Sequence, residues 1–373
     1  MSKKALWIQT LVFLGFIALF FVWNLVKPQK GFSEVENRTL QTRPEFSLSV
    51  FFGGSFTKQY EDYVTDQFAL RDGWTALKAR AELISGKPEN NGVYLCEGGT
   101  LIEGYTAPDR DKLDFNLDAV NKLAESTDAD VYFALIPSAA EIWRSMLPNG
   151  APNDSQKDDI DYSYDYVNCK TVDIYFFLTQ HSDESIFYRT DHHWTTLGAF
   201  YGTNALLESL GKEPLSREDF TPELASDDFN GTLYSTSGVH WLEPDTMEFW
   251  VPDNGLTVTS WRSGSPEPGT LYDRSYLEKK DKYSAFLGGN QPLCVIKNEN
   301  VTDGGKLLLI RDSYSDSLAP FLARRFSEVH LLDLRYYRAP VAQYAAENSI
   351  DAICVLYSIQ NFITDRNLVL LTQ

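Results

Sequence analysis

The first apolar block of the chain is continuous rather than periodic. Residues 5–26 read ALWIQTLVFLGFIALFFVWNLV and contain no charged side chain. At about 1.5 Å per residue they would form a helix of roughly 33 Å, which matches the hydrocarbon core of a bilayer. Trp7 and Trp23 lie near its two ends, where interfacial tryptophans are common. The pattern predicts a transmembrane helix at 5–26 after a cytoplasmic tail at 1–4.

A cleaved signal peptide is the alternative for this segment. Its apolar region would be about 7–15 residues long and would end in a small-x-small site. Here the run ends in FVWNLVKPQK, which has no such site. The sequence favours an uncleaved signal anchor in the cell membrane, crossing it once. With the two tail lysines retained inside, we expect the rest of the chain to be extracytoplasmic.

The pattern changes after the anchor. Residues 27–55 are polar and rich in turn-forming residues, which predicts a linker. In ALRDGWTALKARAELISG apolar residues recur at helical spacing, and Gly86 follows the last of them: Leu70, Trp74, Leu77, Ala81 and Ile84. We therefore place a linker and an amphipathic helix at 27–90, and an extracytoplasmic catalytic domain at 91–373.

In that domain helical patterns alternate with short apolar strands. NNGVYLCEGGTLIEG predicts a hairpin, and the predicted strands are DADVYFALIP, ESIFYRT, KLLLI, EVHLLDL and AICVLYS. Helical stretches such as DKLDFNLDAVNKLAES and TTLGAFYGTNALLESLG separate them, while residues 212–300 are irregular with β segments around EFWVP and PLCVIK. This alternation predicts an α/β fold with a parallel sheet covered by helices on both faces.

Composition narrows the function. The formal net charge is −19, so the chain would repel nucleic acid, and we expect no nucleic-acid partner. Its four cysteines form no CxxC pair, which removes the common zinc and redox motifs and favours buried thiols over disulfides. The sequence also contains no glycine-rich phosphate loop. We expect no cofactor and no metal.

The first candidate site is TDHHWT, directly after the predicted strand ESIFYRT. Active sites of parallel α/β folds lie at the carboxyl ends of strands. If the segment is extended, Asp191 and His193 face one side together and His192 faces away. Two other interpretations stay open: Asp191 only caps the next helix, or all three residues bind a metal ion, although adjacent residues rarely converge on one ion.

The second candidate site is LLLIRDSYSDS, where Ser313 follows a strand and precedes a helix. The layout is similar to a nucleophile elbow without its GxSxG sequence, and the Tyr314 N–H is placed to stabilise an oxyanion. Serine needs a base and histidine needs an orienting carboxylate. Ser313, His193 and Asp191 would fill these roles; the alternative is that the loop serines are caps. Ser138, after a third strand, is assigned a loop role.

These motifs, together with FSEVENRTL and ENNGVYL, resemble the bacterial DHHW family, which is similar to alginate O-acetylation proteins of the AlgX and AlgJ type. The resemblance implies an SGNH hydrolase-like three-layer α/β/α domain, with Asp191, His193 and Ser313 as the catalytic residues. Two departures stand out: Arg311 replaces the glycine of the usual GDS block, and the serine follows the Asp–His pair. FLGGN supplies Gly289 and Asn290 as further oxyanion or substrate-binding candidates, besides Tyr314 and Arg311.

The function expected from residues and resemblance together is a serine-dependent O-acetyltransferase or acetylesterase that acts on a cell-surface polysaccharide. A membrane-bound O-acyltransferase partner is implied by the resemblance alone. Clustered tyrosines at 161–168 and 334–338 would suit sugar rings, although such clusters are often structural. The alternative is a non-catalytic glycan-binding or scaffold protein of a cell-envelope polysaccharide system.

Overall fold

The computed structural model describes residues 2–372. Within this range the α-helices are α1 Lys3–Val26, α2 Leu48–Phe52, α3 Ser55–Asp66, α4 Arg71–Ile84, α5 Arg110–Ser126, α6 Ala139–Ile142, α7 Gln156–Tyr166, α8 Ile174–Gln180, α9 Thr196–Ser209, α10 Thr232–Ser237, α11 Ser315–Leu322, α12 Val341–Glu347 and α13 Ile359–Thr364. Short 3-10 helices lie at Glu97–Gly99, Arg144–Met146, Arg217–Asp219, Arg274–Glu278, Tyr283–Ala285 and Asn367–Thr372.

The strands are short, and most of them lie in one sheet. They are β1 Phe32–Ser33, β2 Arg38–Thr39, β3 Glu89–Asn90, β4 Val93–Leu95, β5 Leu101–Glu103, β6 Asp130–Ile136, β7 Lys170–Val172, β8 Glu223–Phe229, β9 Asp245–Phe249, β10 Leu256–Ser260, β11 Glu267–Pro268, β12 Leu293–Asn298, β13 Lys306–Arg311, β14 Glu328–Leu332 and β15 Ala352–Ser358. The chain divides into two compact units, Met1–Asn90 with Gly238–Trp241 and Asn91–Ser237 with Leu242–Gln373.

The first unit contains the apolar helix α1. Among the described residues it is the one helix long and apolar enough to cross a membrane, a property that signal sequences share. The stretch 27–55, expected to be a linker, is more ordered than its composition suggests. It holds the β1–β2 hairpin and helix α2, and α3 begins at its end. The expected amphipathic helix is present as α4, and Gly86 follows it with a left-handed φ of 89°.

The second unit is built on an eight-stranded sheet in the order β11-β10-β12-β14-β13-β15-β6-β7. From β14 to β7 the neighbouring strands are parallel, whereas β12, β10 and β11 add an antiparallel edge. The parallel part is the alternating region that the sequence predicts. The antiparallel edge comes largely from 212–300, where β8, β10 and β11 were not expected. β8 is mostly polar and β11 has only two residues, whereas β10 is a short run, LTVTS, that does alternate.

Helices cover both faces of this sheet. Along β13 the side chains alternate: Leu307 and Leu309 pack in the cluster that contains α8, α9 and α11, and Leu308 and Ile310 pack in the cluster that contains α5, α7, α12 and α13. The result is a three-layer α/β/α domain with a large, mostly parallel sheet. The carboxyl ends of β13, β14, β15 and β6 share one edge of the sheet, and Ser313 lies there.

One expected strand is absent from the described part of the chain. ESIFYRT forms only an isolated antiparallel bridge between Phe187 and Trp194, not a strand of the sheet. The backbone between them folds back, since Tyr188 N–H donates to the His193 carbonyl and Thr195 N–H to that of Ile186. TDHHW is therefore a turn inside a tight loop that leads into α9.

Candidate active site

Ser313 lies in a three-residue turn between β13, which ends at Arg311, and α11, which begins at Ser315. Backbone bonds close the turn: Ser315 N–H donates to the Asp312 carbonyl, and Asp316 N–H to that of Ser313. Ser313 is partly exposed while its neighbours are buried. A hydroxyl is thereby presented at the amino end of a helix, where the helix dipole favours developing negative charge.

The structure brings Ser313, His193 and Asp191 together in a line. Ser313 Oγ lies 2.8 Å from His193 Nε2 across 120 residues of sequence. On the other side of the ring, His193 Nδ1 lies 2.6 Å from Asp191 Oδ1. Because Nδ1 donates to a carboxylate, Nε2 is the nitrogen left to accept the serine proton. In this arrangement His193 can take the proton of Ser313, and Asp191 can stabilise the positive charge that then develops on His193.

The geometry of this pair arises from a turn, not from strand alternation. Asp191 Oδ1 also accepts the N–H of His193, at 2.9 Å, which is an Asx-type turn. Asp191 does not cap the following helix: Thr195 does, accepting from Gly198 N–H. The two residues face the same site because the short aspartate side chain bridges to both the ring and the backbone two residues on.

The expectation that His192 faces away was wrong. Its ring lies against that of His193, with centroids 3.8 Å apart, and its Nδ1 is 2.6 Å from Thr232 Oγ1. Burial and the neighbouring His193 lower the pKa of His192 to about 4. A turn gathers consecutive side chains on one side, whereas an extended strand would have separated them.

Because the three side chains cluster, their geometry alone is also compatible with the metal-site interpretation. Potential ligand atoms of Asp191, His192 and His193 all lie within 4.8 Å of one another. Both Asp191 oxygens, His193 Nδ1 and His192 Nδ1 each have a hydrogen-bond partner within the protein, however. The donor set fits a hydrogen-bonded relay better than a metal centre.

A buried shell fixes the Asp191 carboxylate. Asp191 Oδ2 accepts from Thr232 N–H at 2.7 Å and from its hydroxyl at 3.1 Å. Burial opposes the charge, but His192, His193 and the Thr232 N–H outweigh it and hold the pKa of Asp191 well below its usual range. Gly231 leaves room for this contact, since a Cβ there would lie 2.3 Å from Asp191 Oδ2.

Two aromatic residues that the sequence did not assign to the site hold its halves together. The Tyr283 ring stacks on His193 with centroids 3.7 Å apart, and its hydroxyl donates to the Ser313 carbonyl at 3.3 Å. Trp194 donates from Nε1 to the Tyr314 carbonyl and Ser317 Oγ, both at 3.0 Å. No local sequence pattern marks Tyr283, because its partners are at least 30 residues away.

The carboxylate beside the serine forms a second link. Asp312 Oδ2 accepts from Ser358 N–H, Ser358 Oγ and Asn361 Nδ2, at 2.7–2.9 Å. Its Oδ1 accepts the Tyr314 N–H at 3.1 Å, so the donor expected for the oxyanion is already engaged. Asp312 thus fixes the turn to the end of β15.

The other oxyanion candidates are scattered. Asn290 is exposed and its Oδ1 accepts from Arg335, while the Gly289 N–H donates to the Phe286 carbonyl. Arg311 is fully buried and is not open to solvent. Its Nη1 lies 3.0 Å from Asp316 Oδ1, so it contacts the first turn of α11. An oxyanion role for these residues stays a prediction.

Several other sequence features are structural. Ser138 is the buried cap of α6 and accepts from Gln156 Nε2 at 2.7 Å. Tyr162 and Tyr166 hydroxyls donate to aspartates of the neighbouring α5. All four cysteines are free thiols, three of them buried.

Comparison with known proteins agrees with this architecture. A DHHW family protein from Eubacterium siraeum superposes with a TM-score of 0.66 at 24% identity, covering 76% of this chain and 95% of that one. PatB1 of Bacillus cereus, solved with a sulfonyl adduct, gives 0.65 at 21% identity, covering 74% and 97%. The O-acetyltransferase domain of Pseudomonas putida AlgJ gives 0.47 at 14% identity, covering 74% and 93%.

The first two similarities show a shared fold. Among curated protein sequences none matches the chain. The family described as DHHW protein matches residues 114–332, which include both TDHHWT and the Ser313 turn. The chain belongs to the DHHW protein family.

Proposed function

We propose that the chain is a serine-dependent O-acetyltransferase or acetylesterase that acts on a cell-surface polysaccharide. Residues 5–26 anchor it in the cell membrane by a single pass, and residues 91–373 form the extracytoplasmic catalytic domain. One observation carries the proposal: two consecutive hydrogen bonds, of 2.8 and 2.6 Å, join Ser313 Oγ, His193 and Asp191. Bonds of this kind at a partly exposed serine are what acyl transfer requires.

In the first half-reaction Ser313 Oγ attacks the carbonyl carbon of an acetyl ester, and its proton passes to His193 Nε2. Asp191 stabilises the imidazolium. The tetrahedral intermediate collapses as the ester C–O bond breaks, and His193 returns the proton to the leaving alcohol. Acetyl-Ser313 remains. Its carbonyl is then attacked by a second hydroxyl, which gives its proton to His193. The bond between the acetyl carbon and Ser313 Oγ breaks, and His193 returns that proton to Ser313 Oγ, which restores the starting state.

The identity of that second hydroxyl separates the two activities. Water gives an esterase, and a sugar hydroxyl gives a transferase; the same three residues serve both. A membrane-bound O-acyltransferase that supplies the acetyl group is part of the transferase proposal. Purified protein that transfers acetyl from a chromogenic acetate to a glycan faster than to water would favour the transferase.

The test is turnover of a chromogenic acetate by the full chain. We expect Ser313→Ala to abolish turnover above background, while Ser315→Ala, a matched serine change two residues on, keeps it. A sulfonyl fluoride should label the wild type at Ser313 and leave Ser313→Ala unlabelled by mass spectrometry. Equal turnover by the wild type and Ser313→Ala would overturn the enzyme proposal and favour a non-catalytic glycan-binding or scaffold protein.

A further inference from the structure

Helix α4 presents an apolar face that its own unit leaves open. Ala79 lies on the buried side of the helix, where it and Thr75 pack against Gly238. On the opposite side Leu70 is 58% exposed, Leu77 55% and Ile84 87%. A soluble helix normally buries such a stripe, so these side chains require an apolar environment from outside the fold.

Charged residues are ordered around this stripe. At about 100° per residue, Leu70, Trp74, Leu77, Ala81 and Ile84 fall within about 40° of one line along the helix. Exposed Lys78 borders the line on one side and exposed Arg80 on the other, whereas Asp72 and Glu82 lie farther round. Arg71 is on the Lys78 side but is half-buried and paired with Glu36. Basic residues that flank an apolar face are typical of helices lying in a membrane interface, where their long side chains reach the headgroups.

The contacts between the start of α4 and α1 also support a location at the membrane. Phe68, just before α4, stacks on Phe20 with centroids 5.7 Å apart, and Trp74 packs edge-on against Phe20 at 5.7 Å and Phe16 at 6.3 Å. Asn24 Oδ1 accepts the Ala69 N–H at 2.8 Å. Phe20 lies six residues before the end of α1, which is about 9 Å along the helix and within the depth of about 5–10 Å at which interfacial helices lie. The start of α4 therefore lies level with the part of α1 that would be inside a bilayer.

We propose that α4 is an interfacial membrane helix, with Leu70, Trp74, Leu77 and Ile84 embedded in lipid beside α1 and Lys78 and Arg80 at the headgroups. The proposal rests on the proposed anchoring by α1. It assigns the first unit a role that a simple tether would not have, because two helices instead of one fix the protein to the membrane surface. The lipid surface is continuous with the lipid that would surround α1.

The test places an environment-sensitive thiol probe at single positions of the full chain in vesicles of phosphatidylcholine and phosphatidylglycerol. Leu77→Cys and Ile84→Cys test the stripe, Leu14→Cys tests the anchor, and exposed Asp158→Cys in α7 reports water. Wild type labelled in parallel gives the background of the native thiols. Quenching by lipid-borne nitroxide is compared with quenching by aqueous iodide.

We expect the probes at 77 and 84 to be quenched at least about twofold more by the lipid nitroxide than the probe at 158, and less by iodide. Quenching at 14 but not at 77 or 84 would overturn the interfacial helix and leave the anchor intact. Absence of lipid quenching at 14 as well would overturn the anchor and this inference with it. Unchanged chromogenic acetate turnover in the labelled variants would show that the fold is retained.

Discussion

Trp194 Nε1 donates to the carbonyl oxygen of Tyr314 at 3.0 Å, and so the residue after His193 is bonded to the residue after Ser313. The indole is fully buried. It packs against Gly198 and Gly202, whose missing side chains leave the space that it fills. The position of His193 relative to Ser313 thus depends on a contact outside the three proposed catalytic residues.

Trp194→Phe should keep much of the volume and remove this donor. The buried Tyr314 carbonyl then loses the indole donor and keeps Ser317 Oγ at 3.4 Å, so we expect a cost of about 0.5–1.5 kcal/mol of unfolding free energy in urea titrations. Turnover of a chromogenic acetate should fall as well, because the Ser313 turn is no longer held to the loop. Trp250→Phe is the control: Trp250 is also buried and donates to Glu248 Oε2, but lies outside the site. If both variants turn over equally, the proposed positioning role of Trp194 is wrong.

Gly231→Ala should damage activity more than stability. A Cβ at this position would lie 2.2 Å from the Asp191 Cβ, so the carboxylate must move away from His193. Displacements of about 1 Å in such sites lower rates on the order of a hundredfold, and we expect a loss of this size in kcat. Gly73→Ala is the matched change, since nothing lies within 4 Å of the position of its Cβ. Normal kcat in Gly231→Ala would show that the fit around Asp191 is looser than described.

The buried pair Arg311 and Asp316 should show strong coupling. Arg311 Nη1 lies 3.0 Å from Asp316 Oδ1, and both side chains are almost completely buried. Removing one partner leaves the other charge unpaired, so we expect Arg311→Met and Asp316→Leu each to lose about 3–5 kcal/mol of unfolding free energy. The double variant should lose less than the sum of the two. Additive losses in urea titrations would argue against a direct pair.

The lowered pKa of His192 predicts that its contribution to the free energy of unfolding decreases as the pH falls. Its pKa in the folded protein is lowered to about 4, whereas an unfolded histidine titrates near 6.5. The unfolded chain therefore binds a proton first as the pH falls, and the stability contributed by neutral His192 is full above about pH 6.5 and declines towards pH 4. His192→Asn should make the loss of unfolding free energy between pH 7 and 5 shallower. An unchanged slope would contradict this assignment.

Sequence patterns recovered the strands that are buried on both faces. DADVYFALIP, KLLLI and AICVLYS are continuous apolar runs, and they form β6, β13 and β15. Residue chemistry alone was enough to select Ser313, His193 and Asp191, which the fold brings within hydrogen-bond distance. Strand ends and reactive residue types leave local marks in a sequence, and that is why these features could be predicted.

The environment of the site could not be predicted in the same way. Thr232 bonds Asp191 from 41 residues away, and Ser358 bonds Asp312 from 46 residues away. Neither pairing leaves a periodic signal. The strand expected at ESIFYRT failed because its apolar residues fill a loop that is closed by the Phe187–Trp194 bridge. The Asx turn at Asp191 was the one available local clue, since a short side-chain acceptor two residues before an N–H favours that turn.

The link between Asp312 and the end of β15 bears on the order in which the site is assembled. A chain is synthesised from its amino end, so Asp191 and His193 are made before Ser313. Asp312 cannot form its hydrogen bonds until Ser358 and Asn361 have been made. Strand β15, which ends at Ser358, must also insert into the sheet between β13 and β6. A chain interrupted before this strand would contain all three proposed catalytic residues and still lack the bonds that hold the Ser313 turn, so this turn is fixed only when the protein is nearly complete.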